Sequence, residues 1–190
     1  MHGHLTLVSV TGAVPGLGKT TLARRLAEDL HAALFLEHEI GADPAFAEVM
    51  AMYTRENVVA LDVLLDGTRR FVDARAGTGT HVVDALLPHL TSLLAWRYDD
   101  DAITAFFADL HDLLQCAGAR LVQLHLEGDV DAALDRAAAR EGDGWLDWMV
   151  RKYGVADVDD LRRAFADHAR RSRTLLARAP WTVLFVDSPR

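Results

Sequence analysis

The chain reads as an α/β protein, a three-layer α/β/α domain built on a five-stranded parallel sheet. Three observations carry this expectation. Short apolar runs of strand length alternate with longer segments of helical periodicity along all 190 residues. Five such strands separated by helical segments imply a parallel sheet covered on both faces. The first of them, Leu5–Thr11, passes through a Gly-rich turn into a helical pattern, the opening of a strand–helix–strand series.

Each element follows in order. Leu5–Thr11 is the first strand, and Gly18–Leu30 is a helix with Leu22, Leu26 and Leu30 on one face. Ala33–Glu37 is a second apolar run that ends in charge. Pro44–Tyr53 and Glu56–Ala74 read as helices, the second with Val59, Val63 and Leu64 at helical spacing. Gly77-Thr78-Gly79 breaks the pattern before His81–Asp84, a short strand stopped by Pro88. Asp99–Asp101 offers an N-cap and an acidic first turn for a helix to about Ala117, and Gly118 supplies its C-terminal cap. Leu121–Leu126 is the fourth strand, and Gly128-Asp129 caps a helix over Val130–Arg140. Glu141–Gly144 is a loop, Trp145–Tyr153 and Asp157–Ala177 are helices, and Trp181–Val186 is the fifth strand, ending at Asp187. No internal repeat, low-complexity tract or linker interrupts the series, so residues 1–190 read as one domain. In such a sheet a ligand sits beyond the carboxyl ends of the strands. Glu37–Glu39, Asp84, Glu127 and Asp187 are therefore the carboxylates of interest.

The turn after the first strand is Thr11-Gly12-Ala13-Val14-Pro15-Gly16-Leu17-Gly18-Lys19-Thr20-Thr21. Read from Ala13, it is the A/G-x-x-x-x-G-K-T form of a phosphate-binding loop. Its glycines let backbone N–H groups turn inward around a phosphate. Lys19 reaches the β- and γ-phosphates, the Thr20 hydroxyl ligates Mg²⁺, and the following helix points its positive end at the same charge. Ala13 stands where Gly is commoner, with Gly12 beside it to relieve the turn. Ala13, Gly16, Leu17, Gly18, Lys19, Thr20 and Thr21 are the expected nucleotide-binding residues, with ATP and Mg²⁺ as cofactors.

Composition removes other classes. The net charge of −8 argues against a nucleic-acid surface, which needs clustered Lys and Arg. The N-terminus has no basic region followed by a long apolar run, and Leu5–Val10 is too short for a signal-peptide core or a membrane span. The expectation is a cytoplasmic protein with neither nucleic acid nor membrane as partner, its oligomeric state open and a homodimer included. The single cysteine, Cys116, has no partner for an internal disulfide and reads as a small buried side chain. The nine histidines show no metal-ligand spacing.

Several residues could act on a transferring phosphate. A carboxylate that orients an acceptor hydroxyl and takes its proton serves phosphoryl transfer, and Glu37 is preferred over Glu39 for that task, with His38 as a surface residue. Asp84, ending an apolar strand downstream of the phosphate loop, is placed to hold Mg²⁺ with Thr20 or to touch the acceptor. Arg136 and Arg140 share a helix face beside the Gly-containing loop Glu141–Gly144, where arginines can close over the transferred charge. Arg69 and Arg70 are read equally as binders of an anionic acceptor or as solvated side chains. Trp96, Arg97 and Tyr98 are read as packing against the domain, and the Asp99–Asp101 cluster as a helix start. Trp145 and Trp148 flank the mobile loop, one packing on it and one in the core.

In the order of these motifs the chain resembles the P-loop kinase group that holds deoxynucleoside kinases, nucleoside-monophosphate kinases and small-molecule kinases such as chloramphenicol phosphotransferase. The resemblance rests on Gly16-Leu17-Gly18-Lys19-Thr20-Thr21, Glu37, the strand His81–Asp84, and Leu121–Leu126 followed by Asp131–Arg136 and Arg140. It covers nearly the whole chain. It implies a sheet order of 2-3-1-4-5 and a helical lid at about residues 136–153. In deoxynucleoside kinases a Glu similar to Glu37 is the acceptor base, and the lid arginines resemble Arg136 and Arg140. An acidic residue followed by Arg ends strand 3 in that family; Asp84 is similar to the first, but Ala85 replaces the second.

The expected activity is ATP-dependent transfer to a hydroxyl of a small molecule, with a nucleoside-like acceptor leading. A non-nucleoside alcohol, such as an antibiotic or a biosynthetic intermediate, stands close behind, and a nucleoside monophosphate is third. A regulatory NTPase is the alternative of another class. Against it, Asn57 is the only asparagine, so no N-K-x-D motif exists; Asp84 is followed by Ala85 rather than Glu; and no L-S-G-G-Q segment occurs. Intact Lys19 and Thr20 argue against a catalytically dead module.

Overall fold

A computed structural model describes residues 4–188. Its strands are β1 (Leu5–Gly12), β2 (Ala33–Phe35), β3 (Thr80–Asp84), β4 (Ala119–Glu127) and β5 (Thr182–Asp187). They form one all-parallel sheet in the order β2-β3-β1-β4-β5. The helices are α1 (Lys19–Asp29), α2 (Ala47–Glu56), α3 (Leu61–Asp73), α4 (Leu90–Ala95), α5 (Asp100–Cys116), α6 (Val130–Glu141), α7 (Trp145–Tyr153) and α8 (Val158–Leu176). No helix among the described residues is long and apolar enough to cross a membrane.

The central strand β1 carries apolar residues on both of its faces. Leu5 and Leu7 of β1 enter one core with Phe35, Phe46, Phe71, Leu110 and Leu175. Val8 and Val10 enter the other, with Ala23, Ala27, Val82, Leu134 and Phe165. Successive side chains leave opposite faces of the strand, so apolar residues serve both cores, while the buried Ser9 hydroxyl is satisfied by Leu87 O. The expected sheet order and the parallel α/β class both stand in the structure.

Local signals set most element ends. The Asp99 carboxylate accepts from Ala102 N at 2.7 Å, and the Asp129 carboxylate accepts from Ala132 N at 2.9 Å. Gly118 takes the left-handed conformation, φ 64°, just past α5.

Three local expectations are corrected and one helix is added. The helix expected over Glu56–Ala74 begins later, because Asn57 adopts φ 56° and closes α2 before α3 starts at Leu61. Asn tolerates this conformation better than most residues. The face of α1 that meets the sheet is Ala23 and Ala27, both buried; Leu22 and Leu26 flank it half-buried, and Leu30 is 49% exposed. The segment after Pro88 holds the short helix α4, whose Leu90, Leu93 and Leu94 are buried at helical spacing. Cys116 is exposed rather than buried, since α5 turns Leu113 and Leu114 to the core and its final residue away.

Of the buried histidines, His89 and His125 are the ones pushed furthest toward the neutral form. Trp181 Nε1 donates to Gln123 Oε1 at 2.9 Å, and Gln123 Nε2 donates to Thr11 Oγ1 at 2.8 Å. Thr11 Oγ1 in turn lies 2.9 Å from His125 Nδ1 and 3.5 Å from Leu124 O. His89 Nε2 lies 2.9 Å from Thr68 Oγ1, whose own proton goes to Leu64 O. Burial pushes His89 down to about 3. Burial, then the charges of Lys19 and Arg173, push His125 down to about 4.

Both groups regain the ordinary value of 6.5 when the chain unfolds, so the unfolded state binds more protons below that pH. Stability falls as pH drops from 6.5 toward 4, by roughly 1 kcal/mol per pH unit for each histidine. Urea unfolding at pH 7, 6 and 5 measures the slope, and His125→Gln or His89→Gln removes its share.

Candidate active site

The phosphate loop runs from the end of β1 to the start of α1. Gly16 and Gly18 hold φ of 85° and 87°, values that side chains disfavour. At Gly16 space is the second constraint. A Cβ there stands 1.9 Å from the Ala133 carbonyl oxygen of α6, so the loop rests directly on that helix backbone. At Gly18 no atom lies within 4 Å of the same position. Gly12 does not relieve the turn through its backbone. It makes room, since a Cβ there meets Leu17 Cδ1 at 3.0 Å and Leu126 O at 3.2 Å.

Lys19 Nζ folds over the loop and donates to Val14 O at 3.2 Å. Thr20 Oγ1 donates to Asp84 Oδ2 at 2.6 Å. Parallel register produces this contact, because Val10 stands opposite Asp84 and Ala85 N donates to Val10 O at 2.8 Å. Asp84 is 2% exposed, and its Oδ1 is buried without a partner. A buried carboxylate oxygen left unpaired is costly, so the site fits a cation or a donor at that point. Among the described residues no group of three or more His, Cys, Asp or Glu could hold a metal. A cation beside Thr20 and Asp84 draws its other ligands from phosphate and water, the habit of Mg²⁺.

The two acids after β2 divide their tasks. Glu37–Glu39 forms a single 3₁₀ turn, and the Glu39 carboxylate accepts from Leu36 N at 2.6 Å. Glu39 therefore holds the turn, while Glu37 stands in the electrostatic field of Lys19 and Asp84. His38 is exposed. Burial raises the Glu37 carboxyl above its usual range; Lys19 opposes that, Asp84 adds to it, and Lys152 opposes it. Burial lowers Lys19, with Glu37 and Asp84 raising it and Arg140 lowering it. Lys19, Glu37, Asp84 and Arg140 thus share one field, yet no two of them form an ion pair within 4 Å.

The two arginines of α6 are held differently. Arg136 Nε donates to Gly16 O at 3.2 Å, which ties α6 to the loop. Arg140 is paired with Glu141 at 2.8 Å and exposed to the cleft side. Sequence reasoning missed Arg162 of α8, which forks to Asp131 at 2.9 Å and Asp135 at 2.6 Å and so fixes α6. The i, i+4 spacing of the two aspartates was the available signal. It also missed Lys152 and Tyr153 at the end of α7, both within the field of Glu37.

Other residues singled out lie elsewhere. Arg69 pairs with Asp66 at 3.6 Å; Arg70 donates to Ala45 O at 3.1 Å and meets Glu48 at 3.4 Å. Both are occupied on the surface of α3. Trp96 and Tyr98 pack against the core, and the Tyr98 hydroxyl donates to Val59 O at 2.9 Å. Trp145 is half-buried and Trp148 is 47% exposed.

No protein-family model matches the chain, and no curated protein matches it. Solved structures do. A gluconokinase from Sinorhizobium meliloti 1021 aligns at TM-score 0.50 and 14% identity, over 100% of this chain and 84% of that one. A sugar kinase from Janibacter sp. HTCC2649 aligns at 0.50 and 17%, over 99% and 87%. A deoxyadenosine kinase from M. mycoides, with bound dATP, aligns at 0.52 and 11%, over 95% and 90%. At such identities the likeness is one of fold. The chain has the P-loop kinase fold, with the five-stranded order found in its own sheet.

The contrast between the two loop glycines is testable. Gly18→Ala costs only the strained φ, about 1–2 kcal/mol. Gly16→Ala adds a collision with the α6 backbone, so its loss is larger, about 3 kcal/mol or more. Thermal unfolding of both variants measures the difference, and equal losses contradict the packing of the loop on α6.

Proposed function

We propose that the chain is an ATP-dependent phosphotransferase that moves the γ-phosphate to a hydroxyl of a small molecule. The observation that carries this reading is the Thr20–Asp84 hydrogen bond at the mouth of the phosphate loop, with one Asp84 oxygen unpartnered and Glu37 in the same electrostatic field. A loop that only bound phosphate needs no second carboxylate in that field.

Ala13, Gly16, Leu17, Gly18 and Thr21 line the phosphate cradle in this reading. Lys19 leaves Val14 O for the β- and γ-phosphates and balances charge on the transferring group. Mg²⁺, when bound through Thr20, Asp84 and the phosphates, neutralises charge developing between donor and acceptor. Glu37 accepts a hydrogen bond from the acceptor hydroxyl, aims its oxygen at the γ-phosphorus and takes its proton as the new P–O bond forms. Arg140 closes over the transferred group after releasing Glu141. Arg136 keeps α6 on the loop. Residues 136–153 act as the lid.

A nucleoside-like acceptor is the leading class. Ala85 favours a second reading, a non-nucleoside alcohol, because no cation follows Asp84 to meet a sugar hydroxyl; its backbone there is left-handed, φ 55°.

ADP release screened over nucleosides, nucleoside monophosphates, aminosugars and amphenicol-type alcohols tests the class. Release is expected to depend on one acceptor class; steady hydrolysis stimulated only by a partner protein overturns it. Lys19→Ala abolishes transfer. Glu37→Gln lowers turnover by roughly 10²–10⁴ and leaves ATP affinity nearly unchanged. Protonated Glu37 cannot take the hydroxyl proton, so turnover falls on acidification through a midpoint above the ordinary 4.5.

A further inference from the structure

The sheet ends on β5, and the outer edge of that strand is bare. Ser188 N donates to Glu127 O at 2.7 Å. In this parallel register Thr182, Leu184 and Val186 turn their backbone groups toward β4, while Val183, Phe185 and Asp187 turn theirs outward. Among the described residues no strand or loop pairs with that outward row. An open row of N–H and C=O groups is a template for another strand, and proteins commonly blunt it with lysine, proline or a bulge. Thr182–Val186 has none of these. The five residues are uncharged and rich in β-branched and aromatic side chains, and their register with β4 is unbroken.

One face of the same strand is bare as well. Val10, Leu124 and Leu184 are register neighbours across β1, β4 and β5 and so share a face. Val10 is buried in the core that Ala23 and Ala27 of α1 complete, Leu124 is half-buried, and Leu184 is 51% exposed. α1 lies over β1, β2 and β3, and the cover runs out toward β5. On the opposite face Val183 and Phe185 pack against the core, so the strand is firmly seated while its edge and one face stay open.

The two ends of the strand differ in charge. Its last residue, Asp187, stands beside Glu127 of β4. Arg178 precedes its first residue by a short turn, and Arg120 begins the neighbouring β4. Glu127 is bound by Arg173. Asp187, Arg120 and Arg178 are exposed and hold no ion pair among the described residues. A cavity of about 280 Å³ opens at the basic end, lined by His111, Gln115, Arg120, Trp181 and Thr182.

A strand that fits this edge has to offer unpaired backbone, an apolar side chain for Leu184, an acid for the basic end and a base for the acidic end. A second copy of β5, run antiparallel about a two-fold axis, offers all four. With Leu184 opposite the partner's Leu184, the outward groups of Val183 and Phe185 exchange hydrogen bonds with those of the partner's Phe185 and the partner's Val183. The same register sets Asp187 opposite the partner's Trp181, at the mouth of the cavity that holds the unpaired arginine. A two-fold contact of this kind closes on itself, so pairing stops at two chains.

We propose that β5 is a homodimer interface: two chains join edge to edge through antiparallel β5 strands, and one sheet runs through both.

Sedimentation equilibrium of the full-length protein over about 1–200 µM, the range of modest interfaces, tests the association. A species of twice the chain mass of 20.9 kDa is expected. Leu184→Lys puts a charge at the centre of the contact, once from each copy, and is expected to weaken the dimer by roughly 100-fold or more. Leu184→Met is expected to keep it. Leu184 is exposed, so these variants keep the fold, and circular dichroism checks that. Crosslinking reads the position. In a Cys116→Ser background, which removes the native thiol, Leu184→Cys is expected to form a disulfide between copies on mild oxidation, because opposed residues of a non-hydrogen-bonded antiparallel pair bring their Cβ atoms to about 4.5–5.5 Å. Leu30→Cys, comparably exposed at the end of α1, is expected to stay reduced. A chain that remains monomeric throughout overturns the proposal. A dimer that Leu184→Lys leaves intact, or that crosslinks through Leu30→Cys and not through Leu184→Cys, overturns it too, since another surface then joins the copies. The phosphotransfer reading stands or falls separately, on ADP release.

Discussion

The pairing of β1 with β3 is the constraint on which the rest of the site depends. Because Val10 stands opposite Asp84, the phosphate loop leaves the sheet beside the carboxylate that ends β3. A slip of one residue would turn Asp84 to the other face of the sheet. It would also lose the Thr20 contact and place a charge in the apolar layer of Phe35, Phe71 and Val83. The two apolar cores therefore specify the site indirectly: each demands that alternate β1 and β3 residues stay on their own face, and the register that satisfies them sets the polar end.

The charges beyond that register are arranged without direct pairing. Lys19, Glu37, Asp84 and Arg140 influence one another, but each takes its short contacts from elsewhere: Lys19 from a loop carbonyl, Asp84 from a hydroxyl, Arg140 from Glu141. Closed ion pairs would neutralise these groups and fill the space between them. Held apart, these four groups keep their charges uncancelled by one another.

The fold was largely legible in the sequence because its signals are local. The loop glycines, the capping aspartates 99 and 129, Gly118 and the apolar strand runs each act within a few residues of themselves. What stayed hidden depends on distance. Three leucines at helical spacing read as the buried stripe of α1, but a helix pressed close to a sheet meets it through its smallest residues, here Ala23 and Ala27. Spacing does not separate Glu37 from Glu39; what the fold adds is the local bond from Leu36 N to the Glu39 carboxylate. Arg162 meets Asp131 and Asp135 of α6 from a helix late in the chain, a pairing that tertiary packing completes.

The close seat of Gly16 on Ala133, with Arg136 bonded to the Gly16 carbonyl, divides the molecule into a rigid half and a permissive half. Loop and α6 meet backbone to backbone, so a change in either is felt at once in the other. The α2–α3–α4 side joins the frame largely through side chains such as Phe46, Phe71 and Leu93, and apolar contacts of this kind tolerate exchange of one shape for another. Descendants of such a chain can therefore revise that wall in small steps while the loop and its supporting helix are inherited as a unit. Divergence across a lineage would be expected to accumulate between residues 44 and 98, and to spare the glycine at 16.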